Sequence, residues 1–187
     1  MAFVFPASFD PQPRLDGFGL TMRPLQSNDR DALAQAANDP AIWAGHPATN
    51  RYQREVFDRY FDTLCAAGGT LIILDHDQRA IGCTAYYTDT NHPSRLSIGF
   101  TFLVRDHSGG ATNRKVKTLS LGHLFKFASE AWFHIAPTNI RSQVATTRLG
   151  AVFLHEAQVD LGGGPQPWRC YCLSHENWTA IDQGVPS

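Results

Sequence analysis

The stretch of this chain best equipped for chemistry is Ser97 to Lys117, SIGFTFLVRDHSGGATNRKVK. Its paired glycines, Gly109 and Gly110, permit positive φ and a bare approach to the backbone, and they feed a segment that reads as a helix. The first N–H groups of a helix have no internal partner and carry partial positive charge, so a phosphate fits there without a dedicated side chain. Ala111 and Thr112 open that end, and Asn113, Arg114, Lys115 and Lys117 add donors and charge. Cations at a helix N-terminus oppose the macrodipole, so their presence is better explained with an anion bound. Lys117 falls inside the helix's apolar arc, where its amine must reach an anion or snorkel. Neither G-x-G-x-x-G nor G-x-x-x-x-G-K-[ST] occurs, which argues against a dinucleotide fold or a P-loop.

Positioning this turn falls to the elements on either side. Leu96, Ile98, Phe100 and Phe102 recur at period two, the mark of a half-buried strand over 95–104. Phe102, Leu103 and Val104 then break the alternation, which means either burial on both faces or a bulge that re-aims the backbone, and Gly99 would ease such a kink. Beyond the turn, apolar residues Val116, Leu119, Leu121, Leu124, Phe125 and Phe127 encircle most of a helix over 112–128 and mark it as central.

The remaining chain alternates strands and helices. Residues 1–16 hold Pro6, Pro11 and Pro13 and are expected as an extended arm whose aromatics lie on a surface. A first strand is expected over 17–25, a helix from the candidate cap Ser27 to the Asp39-Pro40 stop, and an amphipathic helix over 50–67. A hairpin follows over 70–87, then the strand and central helix, a short strand at 131–136, and a helix capped by Thr138 or Asn139 and ending at Gly150. Two last strands, 152–159 and 168–174, flank the Gly- and Pro-rich DLGGGPQP, read as a hairpin connection or a substrate gate. This order gives an α/β protein with a mixed sheet and antiparallel hairpins at both ends.

Composition bounds the rest. With 187 residues and no dividing linker, the chain reads as one domain, 1–187. Its 16 basic and 17 acidic residues balance to −1, so bulk electrostatics give no reason to expect nucleic-acid or membrane-surface binding. Cys65, Cys83, Cys170 and Cys172 form no C-x-x-C pair, and the eight histidines show no ligand spacing, so no metal is implied. The N-terminus lacks the features of a secretory signal and no segment approaches ~20 apolar residues, so a cytoplasmic location is expected.

SIGFTFL, HSGGATNRKVKTLSLGHLF and PTNIRSQVATTRLGAVF together resemble the acyl-CoA-binding core of the GNAT superfamily of N-acetyltransferases, and most closely its RimJ/RimL branch. The ordered resemblance covers roughly residues 96–156, and the flanking element order extends it over nearly the whole chain. It implies a GNAT-like, largely antiparallel central sheet with helices on both faces. It implies acetyl-CoA as cosubstrate and an amine acceptor, a protein or peptide N-terminus or a small amine, and it leaves a homodimer open. The strand role toward pantetheine falls on Phe102, Leu103 and Val104, and the pyrophosphate role on Gly109 to Arg114. Asn139 and Ser142 would line the thioester end. Trp43, His46 or Tyr52, from the first helices and their link, could touch the acceptor.

Acetyl transfer to an amine needs a neutral nucleophile, a stabilised oxyanion and a proton for the departing thiolate. A backbone N–H at a bulge around Phe102 to Val104 would serve the oxyanion. Many members use a Tyr for the thiolate, but no Tyr lies between Tyr87 and Tyr171, and the resemblance nominates Ser142 instead. Glu156 and His134 compete as general base, and an amine of low pKa would need neither. Asp106 stands where the family often has Gln or Arg, so either Arg105 beside it takes over or CoA binding is weakened. A domain that binds acyl-CoA without turnover is the alternative.

Overall fold

The computed structural model describes residues 2–107 and 110–183. Its centre is an eight-stranded sheet. β1 (Leu15–Gly17) and β2 (Leu20–Pro24) form a hairpin, followed by α1 (Arg30–Ala37), α2 (Pro40–Trp43) and α3 (Arg54–Ala66). Then come β3 (Thr70–Leu74), β4 (Ala80–Asp89), β5 (His92–Leu103), α4 (Gly110–Leu124), β6 (Glu130–Ile135), α5 (Ile140–Arg148), β7 (Val152–Asp160), β8 (Pro165–Ser174) and α6 (His175–Gln183). The spatial order is β1-β2-β3-β4-β5-β6-β8-β7. Every neighbouring pair is antiparallel except β5 and β6, which α4 joins as a crossover.

Period-two alternation divides the core. Leu71 and Ile73 of β3 enter one cluster with Val116, Leu121 and Leu124 of α4 and Trp178 of α6. Ile72 and Leu74 enter the other, with Leu33 of α1, Trp43 of α2 and Phe57, Phe61 and Leu64 of α3. The sheet therefore carries helices on both faces, as the GNAT resemblance implies.

Several boundaries differ from expectation for local reasons. The first strand is two, because Phe18 and Gly19 both take positive φ (57° and 74°) and make a two-residue turn between Gly17 and Leu20. The N-terminal arm gives its last two residues to β1. Ahead of them Phe9 is buried, Phe3 N–H bonds the Ala67 carbonyl, and Thr88 Oγ1 donates to the Val4 carbonyl, so the arm is stitched to the domain. Ser27 opens a single 3-10 turn capped by Gln26 rather than capping a long helix. α3 begins at Arg54, four residues later than its amphipathic pattern suggests, which leaves Arg51 on the preceding turn. α6 was not signalled, since buried Trp178 is its main apolar anchor.

Candidate active site

β5 is held differently on its two edges. Toward β4 it pairs from Asp89↔His92 to Gly82↔Leu103, and toward β6 only at Ser97↔Trp132. Beyond that point the two parallel strands diverge, and a cavity of about 260 Å³ opens between them. β5 contributes Gly99 to Leu103 to its lining, β6 and the residue after it Phe133 to Ala136, and α4 Asn113 and Lys117. Asn139 and Ser142 at the start of α5, and Trp43, His46, Arg51 and Tyr60 from the other face, close it.

The bulge lies two residues earlier than the apolar run suggests. The β4–β5 register slips between Cys83↔Phe102 and Ala85↔Gly99, so Thr84 opposes the pair Phe100 and Thr101. Phe100 takes a φ of 51°, strained for a side-chain-bearing residue. Thr84 and Thr101 hydroxyls bond each other at 2.8 Å, and Cys83 Sγ reaches the Phe100 carbonyl at 3.5 Å, so the neighbouring strand holds the distortion. Phe102 and Leu103 are instead ordinary buried strand, and Val104, half-buried, lies just past the end of β5. Val104 N–H donates to the Ile81 carbonyl at 2.8 Å, so alternation turns the Leu103 peptide edge away from β4 and toward the cleft. Phe102 and Leu103 line the cavity, whereas Val104 does not.

α4 starts at Gly110, whose φ of 59° favours glycine and whose Cβ position faces open space. Gly109 lies outside the described residues. Arg105 and Asp106 are exposed on a 3-10 turn, and neither lines the cavity. Ala111 and Thr112 follow in the first turn, Thr112 Oγ1 lying 3.4 Å from His107 Nδ1. Arg114 is half-buried one turn in.

Lys117 is displaced from the helix start by seven residues, roughly 10 Å along the axis. Its ammonium enters the β5–β6 cleft, donating to Thr101 Oγ1 at 3.3 Å and lying 5.8 Å from the Phe133 ring centroid. Burial lowers its pKa to about 8. The amine thus faces the middle of the cleft rather than the glycine turn.

Asn139 caps α5, its Oδ1 accepting the Ser142 N–H at 3.2 Å. That bond fixes the first turn so that both side chains border the cavity. His134 also lines it. Its Nδ1 shares a 3.0 Å hydrogen bond with the Tyr87 hydroxyl, which also accepts the His134 backbone N–H at 3.2 Å. Burial lowers the His134 pKa to about 4, and burial with the Arg51 charge does the same for His46.

A sequence model of the acetyltransferase (GNAT) domain matches residues 19–152. The chain belongs to the GNAT acetyltransferase family. Its members move an acetyl group from acetyl-CoA to an acceptor. Among curated proteins no significant sequence match is found. Among solved structures, a GCN5-related N-acetyltransferase from Brucella melitensis aligns with a TM-score of 0.75 at 16% identity, over 92% of this chain and 83% of that one. Mycobacterium smegmatis RimJ in complex with CoA-disulfide aligns at 0.61 and 14% identity, over 88% and 87%. The ribosomal-protein-S5-alanine acetyltransferase from Vibrio fischeri aligns at 0.61 and 17%, over 89% and 98%. At these identities the likeness is one of fold.

Within this GNAT fold the expected residues divide. Phe102, Leu103, Asn113, Lys117, Asn139 and Ser142 meet at one cavity, together with Trp43, His46 and His134. Glu156 does not join them: it is exposed on β7, its carboxylate bonded to Arg169 Nε at 3.1 Å. Tyr52 is exposed and outside the lining. Of the Gly- and Pro-rich segment only Leu161–Gly164 is loop, and Leu161 and Trp168 reach the cavity. Sequence reasoning missed Arg51, Tyr60, Thr101 and Arg141. Arg141 stands inside the Asn-Ile-Arg-Ser run and was open to notice; the other three depend on how the faces of the sheet meet.

Proposed function

We propose that the protein is an N-acetyltransferase carrying an acetyl group from acetyl-CoA to a primary amine, the first candidate being a protein or peptide N-terminus. The carrying observation is the divergence of β5 from β6, which exposes the Leu103 peptide edge beside Ser142, Asn139 and Lys117 in one cavity. A pantetheine arm suits that edge as a strand-like partner for backbone groups otherwise left without one. The N–H groups opening α4 at Gly110 suit the pyrophosphate. A RimJ and a ribosomal-protein-S5-alanine acetyltransferase among the fold neighbours support the N-terminal amine and the RimJ/RimL branch, and a cytoplasmic location belongs to the same proposal.

The acceptor enters from the side of Trp43 and His46 and must arrive neutral. Its nitrogen attacks the thioester carbonyl, the C–S bond of the tetrahedral intermediate breaks, and the ammonium formed loses a proton. The Leu103 N–H and the Lys117 ammonium are the donors available to the developing oxyanion. Ser142 orients or relays a proton to the thiolate, since a hydroxyl is too weak an acid to act alone. Neutral His134 or water takes the amine's proton, and an α-amine with a pKa near 8 leaves only modest work for a base. Glu156, paired with Arg169 outside the cavity, is the weakest base candidate.

The test is calorimetric titration with acetyl-CoA, followed by thiol release with peptides of varied N-terminal residue and with small amines. Binding with turnover is expected. Binding without turnover of any amine would leave a non-catalytic acyl-CoA binder, and absence of binding at millimolar CoA would remove both readings.

A further inference from the structure

The acceptor side of the cavity carries charge of one sign. Arg51, Arg141 and Lys117 are among its described lining residues, and no Asp or Glu is. The nearby arginines behave differently: Arg23 pairs with Asp29, Arg30 with Asp58 and Asp62, and Arg54 with Asp31 and Asp58. Arg51 and Arg141 have no carboxylate partner among the described residues. Arg51 lies over Tyr60, 3.7 Å from the ring centroid, and 5.5 Å from that of Trp43. Arg141 Nη2 donates to the Ile42 carbonyl at 3.3 Å. Arg51 Nη1 also lies 3.4 Å from His46 Nε2, and the Arg141 charge is felt at the same ring.

A polycationic acceptor would meet repulsion here and find no carboxylate to receive its second charge. A guanidinium fork matches a carboxylate in shape and charge, and stacking on Tyr60 holds the Arg51 fork in place before any ligand arrives. We infer that the acceptor is a primary amine bearing a carboxylate, which Arg51 and Arg141 grip while Trp43, Tyr60 and Phe102 receive its apolar part. A free amino acid and a peptide with an acidic first residue present this same chemistry. The inference rests on the acetyl-transfer reading. Lys117 is left out of the grip because its ammonium is turned to Thr101 and Phe133 in the cleft.

The experiment compares matched acceptors under saturating acetyl-CoA: phenylalanine against phenylalaninamide, Asp-Ala-Phe-amide against Asn-Ala-Phe-amide, and spermidine as the cation. The carboxylate member of one pair should exceed its neutral partner in kcat/KM by at least about tenfold, the size of one hydrogen bond to a charged group. Which pair does so identifies the source of the carboxylate. In the double variant Arg51→Gln, Arg141→Gln the ratio should fall to about one, with acetyl-CoA affinity by calorimetry within about twofold of the parent. Equal or faster turnover of the neutral partners or of spermidine overturns the inference. So does a double variant that keeps the ratio and loses acetyl-CoA affinity, since the guanidiniums would then serve the CoA phosphates. If no acceptor reacts, the acetyl-transfer reading fails, and binding of N-acetylphenylalanine against its amide to the CoA-loaded protein still decides. Tighter binding of the carboxylate supports the grip, and equal binding overturns it.

Discussion

The two edges of β5 show what separates a structural junction from a functional one in this fold. Toward β4 the strand is paired over nearly its whole length, and even its bulge is closed by Thr84 against Thr101 and by Cys83 against the Phe100 carbonyl. Toward β6 a single pair at Ser97↔Trp132 gives way to an open cleft. Buried peptide groups are almost always satisfied, so an edge left open inside a domain is a place for a ligand or water. The strain at Phe100 persists because β4 over-determines it, and it re-aims the open edge. The closed side therefore sets the geometry that the open side uses.

The heaviest blow to the open side should come from the start of α4, where we propose that the pyrophosphate sits. Gly110→Asp puts a Cβ at a φ of 59° and a negative charge at the start of α4, the Cβ meeting no atom within 4 Å. The fold should survive, as circular dichroism will show, because an unfavourable left-handed residue costs about 1–2 kcal/mol. Like charges facing each other cost several kcal/mol, so the Kd for acetyl-CoA should rise about a thousandfold or beyond detection. Calorimetry giving equal affinity in variant and parent would move the phosphates elsewhere.

Next in size is Lys117, which occupies the cleft at the cost of its hydration. Its pKa falls from 10.5 to about 8 in the folded protein because burial disfavours the charged form. Between those values the unfolded chain binds more protons, so the stability of the ligand-free protein should rise with pH from 8 to 10.5. The full effect is about 3 kcal/mol for a shift of that size. Lys117→Met should be as stable as the parent or more so near pH 7 and should lose this part of the pH dependence, while binding acetyl-CoA more weakly. Thermal melts of both proteins across pH 8–10.5 check it; parallel curves would show that Lys117 keeps a normal pKa.

Ser142 separates transition-state help from simple helix capping. Asn139 already satisfies the Ser142 backbone N–H, so Ser142→Ala leaves the cap intact. With acid–base assistance worth about a hundredfold or more, kcat should fall by that order and acetyl-CoA affinity should barely change. Turnover equal to the parent's would remove Ser142 from the chemistry.

The contrast between the edges was only partly legible in the sequence. Period-two residues Leu96, Ile98 and Phe102 announced β5, and the glycine turn at Gly110 announced the start of α4, because both signals are local. The bulge was expected around Phe102 to Val104, yet it falls at Phe100 and Thr101, since its register is set by Thr84 on another strand. Lys117 was visible as a lysine in an apolar arc, but the direction of its amine depends on where Thr101 and Phe133 lie. Glu156 was a base candidate because the RimJ/RimL resemblance implies an acidic residue in that region; in the fold it is exposed and paired with Arg169. That Arg51 and Arg141 have no carboxylate partner among the described residues is a tertiary fact with no sequence signature.

The smallest expected effect tests the hinge between the two regimes, the residue where the closed part of β5 meets the open part. Ser97 is fully buried at the one β5–β6 pair, and among the described residues its Oγ makes no hydrogen bond, although the Tyr87 hydroxyl lies near enough to feel it. A buried hydroxyl without a partner costs about 1–3 kcal/mol of desolvation, and alanine removes it while keeping the Cβ that packs. Ser97→Ala should therefore stabilise the free protein by about 1 kcal/mol, a rise in Tm of about 2–4 °C for a chain of this size. Acetyl-CoA binding should stay as it is, because the pairing that ends at Ser97 is made by backbone. A drop in Tm of similar size would mean that Ser97 does bond Tyr87, and would extend the closed, hydrogen-bonded region one residue further toward the cleft.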